Sequence, residues 1–538
     1  MKLSDSSLGP AEPVLSTTNK PPIYYLIPGL LLLTFILIRN LWVSDDAFIT
    51  LRVVDNFLHG YGLVWNIGER VQVFTHPLWL FILIPVSFFI PDPLYVFYIP
   101  SYLFSLVTSF LLLWNFAPGR RYLILAVIAL GSSMSFIDFS SSGLENPLTH
   151  FLLISFLVLY LHQDQPVSTW RLFHLSLIAG LAALNRLDTI LLLGPALLFQ
   201  LISGKGEKRK EIIFVGAGFL PLFLWELFAT FYYGFPLPNP YYVKAQTGLD
   251  MPYLLMQGWA YIKNSIHWDP LTLGTVVLGV LSIFVHRDGR RIAIATGIVS
   301  YIFYILWVGG DFMSGRFFSG VFLMGLVLLL TFDAERAFGP VPDKLFLALL
   351  AGVLLVGLSA NRPPIFISGE QPGQTDDQYG IVNEKHFYFY ANGWINYVHH
   401  SGLHYLATDG IQAGQSGQAV VEMNTIGMYG YYAGPRVYIF DSHALSDPLR
   451  AHLPVNGPSR VGHYERVRPK GYWETIQSGF TENLIEDPNL HLYYEKMCIL
   501  TRGDLFSMSR LSEIVRFNFG YYDPLVDQYW ESLHSGAK

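Results

Sequence analysis

The stretch Ser44-Asp45-Asp46-Ala47-Phe48-Ile49-Thr50-Leu51-Arg52 follows directly on an apolar run at 22–43. It continues through Gly62-Leu63-Val64-Trp65-Asn66 and Gly68-Glu69-Arg70-Val71 to Thr75-His76-Pro77-Leu78-Trp79. Two adjacent carboxylates where a membrane-length run ends repel each other and are partly desolvated. At least one should therefore have a raised pKa, suited to proton abstraction. The same pair can bind a divalent cation through its oxygens, or Asp45 can cap a helix start by accepting backbone N–H bonds. The apolar run itself lies too far into the chain for a cleavable signal peptide and no small-residue cleavage site follows it, so it is expected to remain as a helix.

The rest of the chain shares the character of that first run. Of 538 residues, 52% are hydrophobic and 14% charged, against about 25% charged in an average soluble domain, which excludes an ordinary soluble enzyme. Runs of transmembrane length recur at 22–43, 94–116, 122–138, 146–163, 168–184, 189–203, 211–232, 271–286, 291–308, 317–332 and 344–360, with a shorter, proline-bracketed run at 77–90. Residues 361–538 carry 13 Lys/Arg and 19 Asp/Glu and the first 360 residues 21 of each, so the net charge of -6 resides in the polar third. The expected organisation is a polytopic α-helical membrane protein: a cytoplasmic tail at 1–21, a membrane domain at 22–360, and a C-terminal mixed α/β domain at 361–538 long enough for its own core. The charge balance argues against a nucleic-acid partner. The single cysteine, Cys498, excludes an internal disulfide and a thiolate zinc cluster.

Orientation follows from the basic residues. Arg120-Arg121, Arg171, the cluster Lys205, Lys208, Arg209 and Lys210, then Arg287, Arg290 and Arg291, then Arg336 and Lys344 fall in alternate loops if 75–116 makes one net crossing. The run 77–90 is then interfacial or re-entrant. About eleven spans result, with the N-terminus inside and the C-terminal domain outside the plasma (inner) membrane; a crossing at 77–90 would move every later basic loop outside. The loops left on the outer face are 44–75, 139–146, 185–188, 233–270 and 309–316. They hold Asp45, Asp46, Glu145, Arg186, Asp188, Lys244, Asp311 and Arg316, and one site at the outer membrane boundary is expected from them.

These blocks, together with Gly143-Leu144-Glu145-Asn146-Pro147-Leu148, Asn185-Arg186-Leu187-Asp188, Tyr233-Gly234-Phe235-Pro236-Leu237-Pro238-Asn239 and Gly309-Gly310-Asp311-Phe312-Met313-Ser314-Gly315-Arg316, resemble the GT-C glycosyltransferases. Within these the likeness is to AftB-like terminal arabinofuranosyltransferases. Gly430-Tyr431-Tyr432 and Asp441-Ser442-His443-Ala444-Leu445-Ser446-Asp447-Pro448 look like the family's tail signature, where Gly is more usual at Ala444. The resemblance implies a GT-C fold and transfer of a sugar, arabinofuranose, from a polyprenyl-phosphate donor to a glycan acceptor outside the cytoplasm, in cell-wall biogenesis. A lipid-linked donor needs no nucleotide-binding loop, and the chain contains no P-loop or dinucleotide fingerprint.

The residues then divide by chemistry. Asp46 or Asp45 is the expected general base. Arg186, Lys244 and Arg316 are the candidates for the donor phosphate, where negative charge collects as the glycosidic bond breaks. Each can equally be a helix-end charge or an ion-pair partner, Arg186 with Asp188 for example. Glu145, Asp188, Asp311, His76 and Trp65 are candidates for the sugar or acceptor. A histidine in an aromatic-rich loop is more often structural, and tryptophan belongs by default to the interfacial belt. Asp45, Asp46 and Glu145 could hold Mg²⁺, Mn²⁺ or Ca²⁺. The rival readings are a GT-C transferase moving another sugar, such as mannose, onto a protein or lipid, and a transporter or flippase for lipid-linked sugars. The latter would want charges at the bilayer midplane and repeated halves, and no repeated hydropathy halves occur.

Overall fold

A computed structural model describes residues 20–162, 168–204, 206–245, 247–332, 339, 343–360, 363–366, 379–399, 402–457 and 459–535. The N-terminal tail up to residue 19, Lys205 and Arg336 lie outside the described residues. The chain is mostly helical, with a single two-stranded sheet among the described residues.

The apolar runs form helices, but shorter and more broken ones than the hydropathy suggests. Among the described residues only Pro93–Phe116 and Gly289–Val308 are long and apolar enough to cross a membrane alone. Two further spans result if the bent pairs Lys208–Gly218 with Leu220–Tyr233 and Met251–Trp268 with Pro270–Val285 each count as one. Ile23–Arg39, Pro77–Phe89, Asn146–Leu161, Thr189–Ser203 and Phe318–Leu330 are apolar but have at most 17 residues. Thirteen residues at 77–89 reach about 20 Å at 1.5 Å per residue, against a hydrocarbon core of about 30 Å. Length alone thus gives two to four spans where eleven runs were expected. The reason is that hydropathy sees composition and not backbone breaks. The run 122–138 is interrupted at Ser133, whose hydroxyl accepts the Phe136 N–H. Irregular Ser140, Ser141 and Ser142 then continue fully buried, which irregular backbone at depth requires. Two expected loops are in turn partly helical: 44–75 contains Asp45–Leu58, and 233–270 contains Asn239–Ala245 and Met251–Trp268.

The helices of the bundle alternate in direction, and their end contacts reveal it. Arg171, near the start of Thr169–Asn185, donates to the Leu159 and Tyr160 carbonyls at the end of Asn146–Leu161. At the other end of the pair Asn185 donates to the Glu145 carbonyl at 3.0 Å and to Thr149 Oγ1 at 2.9 Å. Lys208 likewise caps the Leu201 and Gly204 carbonyls, and Arg291 the Leu328 carbonyl. Basic side chains on the last carbonyls of neighbouring helices satisfy orphan acceptors and complement the helix dipole. These capping residues, Arg171, Lys208 and Arg291, lie at the helix ends opposite the loops that carry Glu145 and Arg186.

The polar third does not stand apart. Val420–Met423 and Tyr438–Asp441 pair in parallel, Val420 opposite Tyr438. Their Gly/Tyr-rich connection is a short helix, Gly427–Ala433. Tyr388, Phe389, Met428 and Ile439 belong to the same hydrophobic core as the bundle. Phe440, Leu449, Tyr472, Tyr494, Met497 and Leu500 form a second core, so packing divides the chain near residue 440. Ala444 has φ 61°, in the left-handed region, which is why glycine suits that position. Three side chains tie 381–439 to the bundle. Arg52 donates to the carbonyls of Trp65, Gly430 and Val437 with its guanidinium 4.6 Å from the Trp65 ring. Asn392 donates to the Val43 carbonyl at 3.1 Å. Lys385, buried, donates to Asp138 Oδ1 at 2.7 Å and to Asn40 Oδ1. Lys385→Met leaves Asp138 as an uncompensated buried acid and is expected to cost about 3–5 kcal/mol. Thermal unfolding in detergent checks this, with Lys385→Met/Asp138→Asn recovering part of the loss.

Candidate active site

Asp45 and Asp46 open the helix Asp45–Leu58. Successive residues of a helix point about 100° apart, so two neighbouring carboxylates cannot face one partner. Asp45 points to the C-terminal part of the chain: Oδ2 accepts the Gly427 N–H at 2.8 Å and Oδ1 the Met428 N–H at 2.7 Å. It is 4% exposed. Burial, with the neighbouring Asp46 charge, pushes its carboxyl up to about 7 against the pull of those two N–H groups. A Cβ at Gly427 would fall inside the Asp45 carbonyl oxygen, so this contact requires glycine.

Asp46 faces the other way and makes no hydrogen bond among the described residues. Burial raises its carboxyl, and the positive charges of Lys244, Arg316 and Arg460 pull it back while Asp311 adds to the rise. These groups come from four separate parts of the chain, and the backbone explains how they meet. Gly143 (φ 79°) turns so close to the helix start that a Cβ would lie 2.7 Å from that of Ala47; this presses Glu145 against Asp45–Leu58. Gly309 and Gly310 (φ 82° and 79°) end the helix Gly289–Val308 and begin the loop carrying Asp311 and Arg316. That loop is pinned from the polar third: Val382 N–H donates to the Phe312 carbonyl at 2.8 Å and Ser314 N–H to the Val382 carbonyl at 2.9 Å.

Around Glu145 lies a closed charge network. Its carboxylate accepts from Arg186 Nη1 at 2.7 Å and from Arg316 Nη2 at 3.0 Å, and His76 Nδ1 lies at 3.3 Å. Burial pushes the Glu145 carboxyl up, but Arg316, Arg186 and His76 outweigh it and hold the carboxyl well below its usual range. Arg186 also grips Asp188 through Nε at 3.1 Å and Nη2 at 2.5 Å; Asp188 accepts from Tyr301 as well, at 2.9 Å. All three Arg186 nitrogens thus hold carboxylates. His76 is 7% exposed, with Nε2 2.7 Å from Thr50 Oγ1; burial pushes its pKa down to about 4, so it is neutral at pH 7. Trp65 is 1% exposed beneath Arg52 and Gly430, with no ring face open to a sugar.

A second group stands on Phe312. Lys244, exposed in the last turn of Asn239–Ala245, has Nζ 5.7 Å from that ring's centroid, and the Arg460 guanidinium lies 4.9 Å from it, both within cation–π range. Arg460 Nε and Nη2 and Arg316 Nε are buried without a hydrogen-bond partner. Arg460 Nη2 lies 3.8 Å from Glu384 Oε1. Glu384 starts the helix Glu384–Asn392. Burial and then the charge of Asp46 push its carboxyl up to about 8, with Arg460 pulling down. Asp311 is 3.6 Å from Arg316. The eight charges expected on the outer face thus all belong to this one end of the molecule. Glu384 and Arg460 join them unforeseen, since a polar third rich in charge offers no contrast that singles them out.

The donor set considered for a divalent cation does not converge. Both Asp45 oxygens are taken by backbone N–H groups and Glu145 by arginines. No group of three or more His, Cys, Asp or Glu side chains that could hold a metal occurs among the described residues. The arrangement can instead do acid–base work at Asp46 and bind an anion at Lys244, Arg316 and Arg460.

No protein-family model matches the chain. It is 26% identical, over an alignment of 526 residues, to a terminal β-(1→2)-arabinofuranosyltransferase of Mycobacterium tuberculosis, covering 80% of this chain and 81% of that protein. It is 24% identical over 413 residues to the enzyme of the same name from Corynebacterium glutamicum, covering 68% of this chain and 56% of that one. Two solved structures of ArnT from Cupriavidus metallidurans, one bound to undecaprenyl phosphate and one in the apo state, align over 79% of this chain and 86% of theirs at 11% identity, with TM-scores of 0.45 and 0.46. The sequence relatives bear out the likeness to arabinofuranosyltransferases and the reading of the chain as a glycosyltransferase.

The depressed Glu145 carboxyl has a consequence for stability. Its ion pairs contribute fully above the ordinary value of 4.5 and the contribution is lost as pH falls through the lower folded-state value. Unfolding temperatures across acidic pH should therefore drop more steeply for the native chain than for Glu145→Gln, which starts lower and is flatter.

Proposed function

We propose that this membrane glycosyltransferase transfers arabinofuranose from a polyprenyl-phosphate donor to a hydroxyl of a glycan acceptor, at the outer boundary of the plasma membrane. The observation that carries the reading is Asp46: a half-buried carboxylate without a hydrogen bond, facing three cations, two of which keep unfilled N–H donors. A base must be free to accept, and a phosphate site must be free to donate. The membrane domain is a GT-C fold crossing about eleven times, with its short helices completed by buried loops and with residues 361–538 outside. The basic helix caps at one end of the bundle and the acidic loops at the other support that sidedness.

In the proposed reaction the acceptor hydroxyl oxygen attacks the anomeric carbon while its proton passes to Asp46. The bond from that carbon to the phosphate oxygen breaks, and its electron pair leaves with polyprenyl phosphate. Lys244, Arg316 and Arg460 stabilise the charge gathering on the phosphate. Arg186 and Glu145 act behind them: Glu145 orients Arg316, and Arg186 with Asp188 fixes Glu145. Asp45 positions Asp46 by anchoring the helix. Glu384, raised enough to keep its proton near neutral pH, donates a hydrogen bond to a sugar hydroxyl, and Asp311 shares Arg316. No step runs through a metal ion.

The test is a reconstituted assay with a panel of polyprenyl-phosphate sugars. Arabinofuranose transfer is expected, falling about 10²- to 10⁴-fold in Asp46→Asn. Asp45→Asn should show a smaller loss of activity together with a lower unfolding temperature. Equal, undiminished transfer by both variants would overturn the assignment; transfer of mannose alone would change the sugar; flipping of donor without glycosidic product would change the reaction class. Since Asp46 acts as the anion and its carboxyl is raised, kcat/KM should fall on acidification at a pH above the ordinary carboxylate value of 3.8. Exhaustive chelation is expected to leave the rate unchanged.

A further inference from the structure

The helix Met508–Asn518 carries two faces with different partners. Arg510, Glu513, Ile514 and Phe517 are buried. The opposite face runs Met508, Ser512, Val515, Phe519 at the four–three–four spacing of one helix stripe. Met508 is 78%, Val515 57% and Phe519 86% exposed, and the flanking Phe506 and Tyr521 are 77% and 68% exposed. A face with large apolar side chains this open, interrupted only by Ser512, marks an interaction surface.

Its place in the molecule says what covers it. Arg510 donates to the carbonyls of Phe231 and Tyr232 at 2.7 and 2.9 Å, and Asn518 Nδ2 to that of Gly234 at 2.7 Å. These acceptors close the apolar helix Leu220–Tyr233, the outer half of a bent pair that passes as a membrane span. The two anchoring residues lie about 12 Å apart along the short helix, while their acceptors rise by only about 5 Å along the long one. The short helix therefore lies across the end of the span rather than alongside it. Phe506 packs on Phe231 with ring centroids 5.5 Å apart, which joins the exposed row to Phe223, Leu224 and Leu227 of the span, themselves 63%, 53% and 59% exposed. The row is thus continuous with a surface that lipid must cover. A short helix with one apolar face, lying across the membrane boundary, has the posture of an interfacial helix.

We propose that Met508–Asn518, with Phe506 and Tyr521, lies in the headgroup–acyl boundary of the outer leaflet and holds the polar third against the membrane. The occupant of the exposed row is the bilayer itself. Arg516, on the same helix, half-exposed and paired through Nη1 with Glu513 at 3.1 Å, lies at the edge of the row, where a long basic side chain can reach the headgroup level.

The test uses the full chain in lipid nanodiscs, with the native Cys498 replaced by serine and a fluorophore placed through Met508→Cys, Phe519→Cys or, on an exposed position of the polar third, Glu482→Cys. Bromine placed shallowly on the acyl chains of phosphatidylcholine should quench the probes at 508 and 519 several-fold more than the probe at 482, and aqueous iodide should show the reverse order. Equal bromolipid quenching at all three positions would overturn the proposal. Probes at 508 and 519 shielded from bromolipid and iodide alike would also overturn it, pointing to a protein partner or a second copy. Because the readout is optical, it stands apart from the sugar-transfer assay.

Discussion

The carboxylate of Asp45 closing on the Gly427 and Met428 N–H groups is the contact on which the site depends. It fixes one end of Asp45–Leu58 to a helix almost four hundred residues later, and glycine at 427 is what lets the two backbones come so near. With that side chain committed, the helical pitch alone turns Asp46 into the neighbouring hollow. The same pitch brings Arg52 beneath the polar third, where its guanidinium gathers carbonyls from three segments. A helix of fourteen residues thereby serves as the common wall between the apolar bundle and everything packed on it.

The charges around that wall fall into a spent set and an available set. Glu145, Arg186 and Asp188 satisfy one another within hydrogen-bond distance, which makes a rigid brace but leaves little to offer a ligand. Lys244 and Arg460 instead stand on the Phe312 ring, attracted by its quadrupole without consuming their N–H donors. Arg316 joins both sets through Glu145 and Asp311. Preorganised donors that keep hydrogen-bonding capacity are what an anion site needs, and the aromatic ring supplies the order that carboxylates would otherwise supply at the cost of that capacity.

The clustering of these charges was legible because the apolar part of the chain has so few: each ionisable residue there stands out. Which of Asp45 and Asp46 is held by backbone N–H groups was not, since that depends on a partner at residues 427–428 that sequence spacing cannot bring near. Glu384 and Arg460 were invisible for the same reason, being placed by a rung between Val382 and the Phe312–Ser314 loop. The breaks at Ser133 and at Phe219 fall inside apolar runs and leave no trace in hydropathy. The expected boundary near 361 follows composition; the packing boundary near 440 follows two cores that composition does not distinguish.

That the site is shared between the bundle and the polar third also sets an order of events during synthesis. The ribosome delivers Asp46, Lys244, Asp311 and Arg316 well before Glu384, the Gly427 turn or Arg460, and the earlier half can insert and pack with its charges still facing water. Only when the last third folds onto them does Asp45 find its backbone partners. A chain released before residue 427 would lack the backbone N–H groups that hold Asp45, and the carboxylate proposed as the base would have no fixed wall behind it.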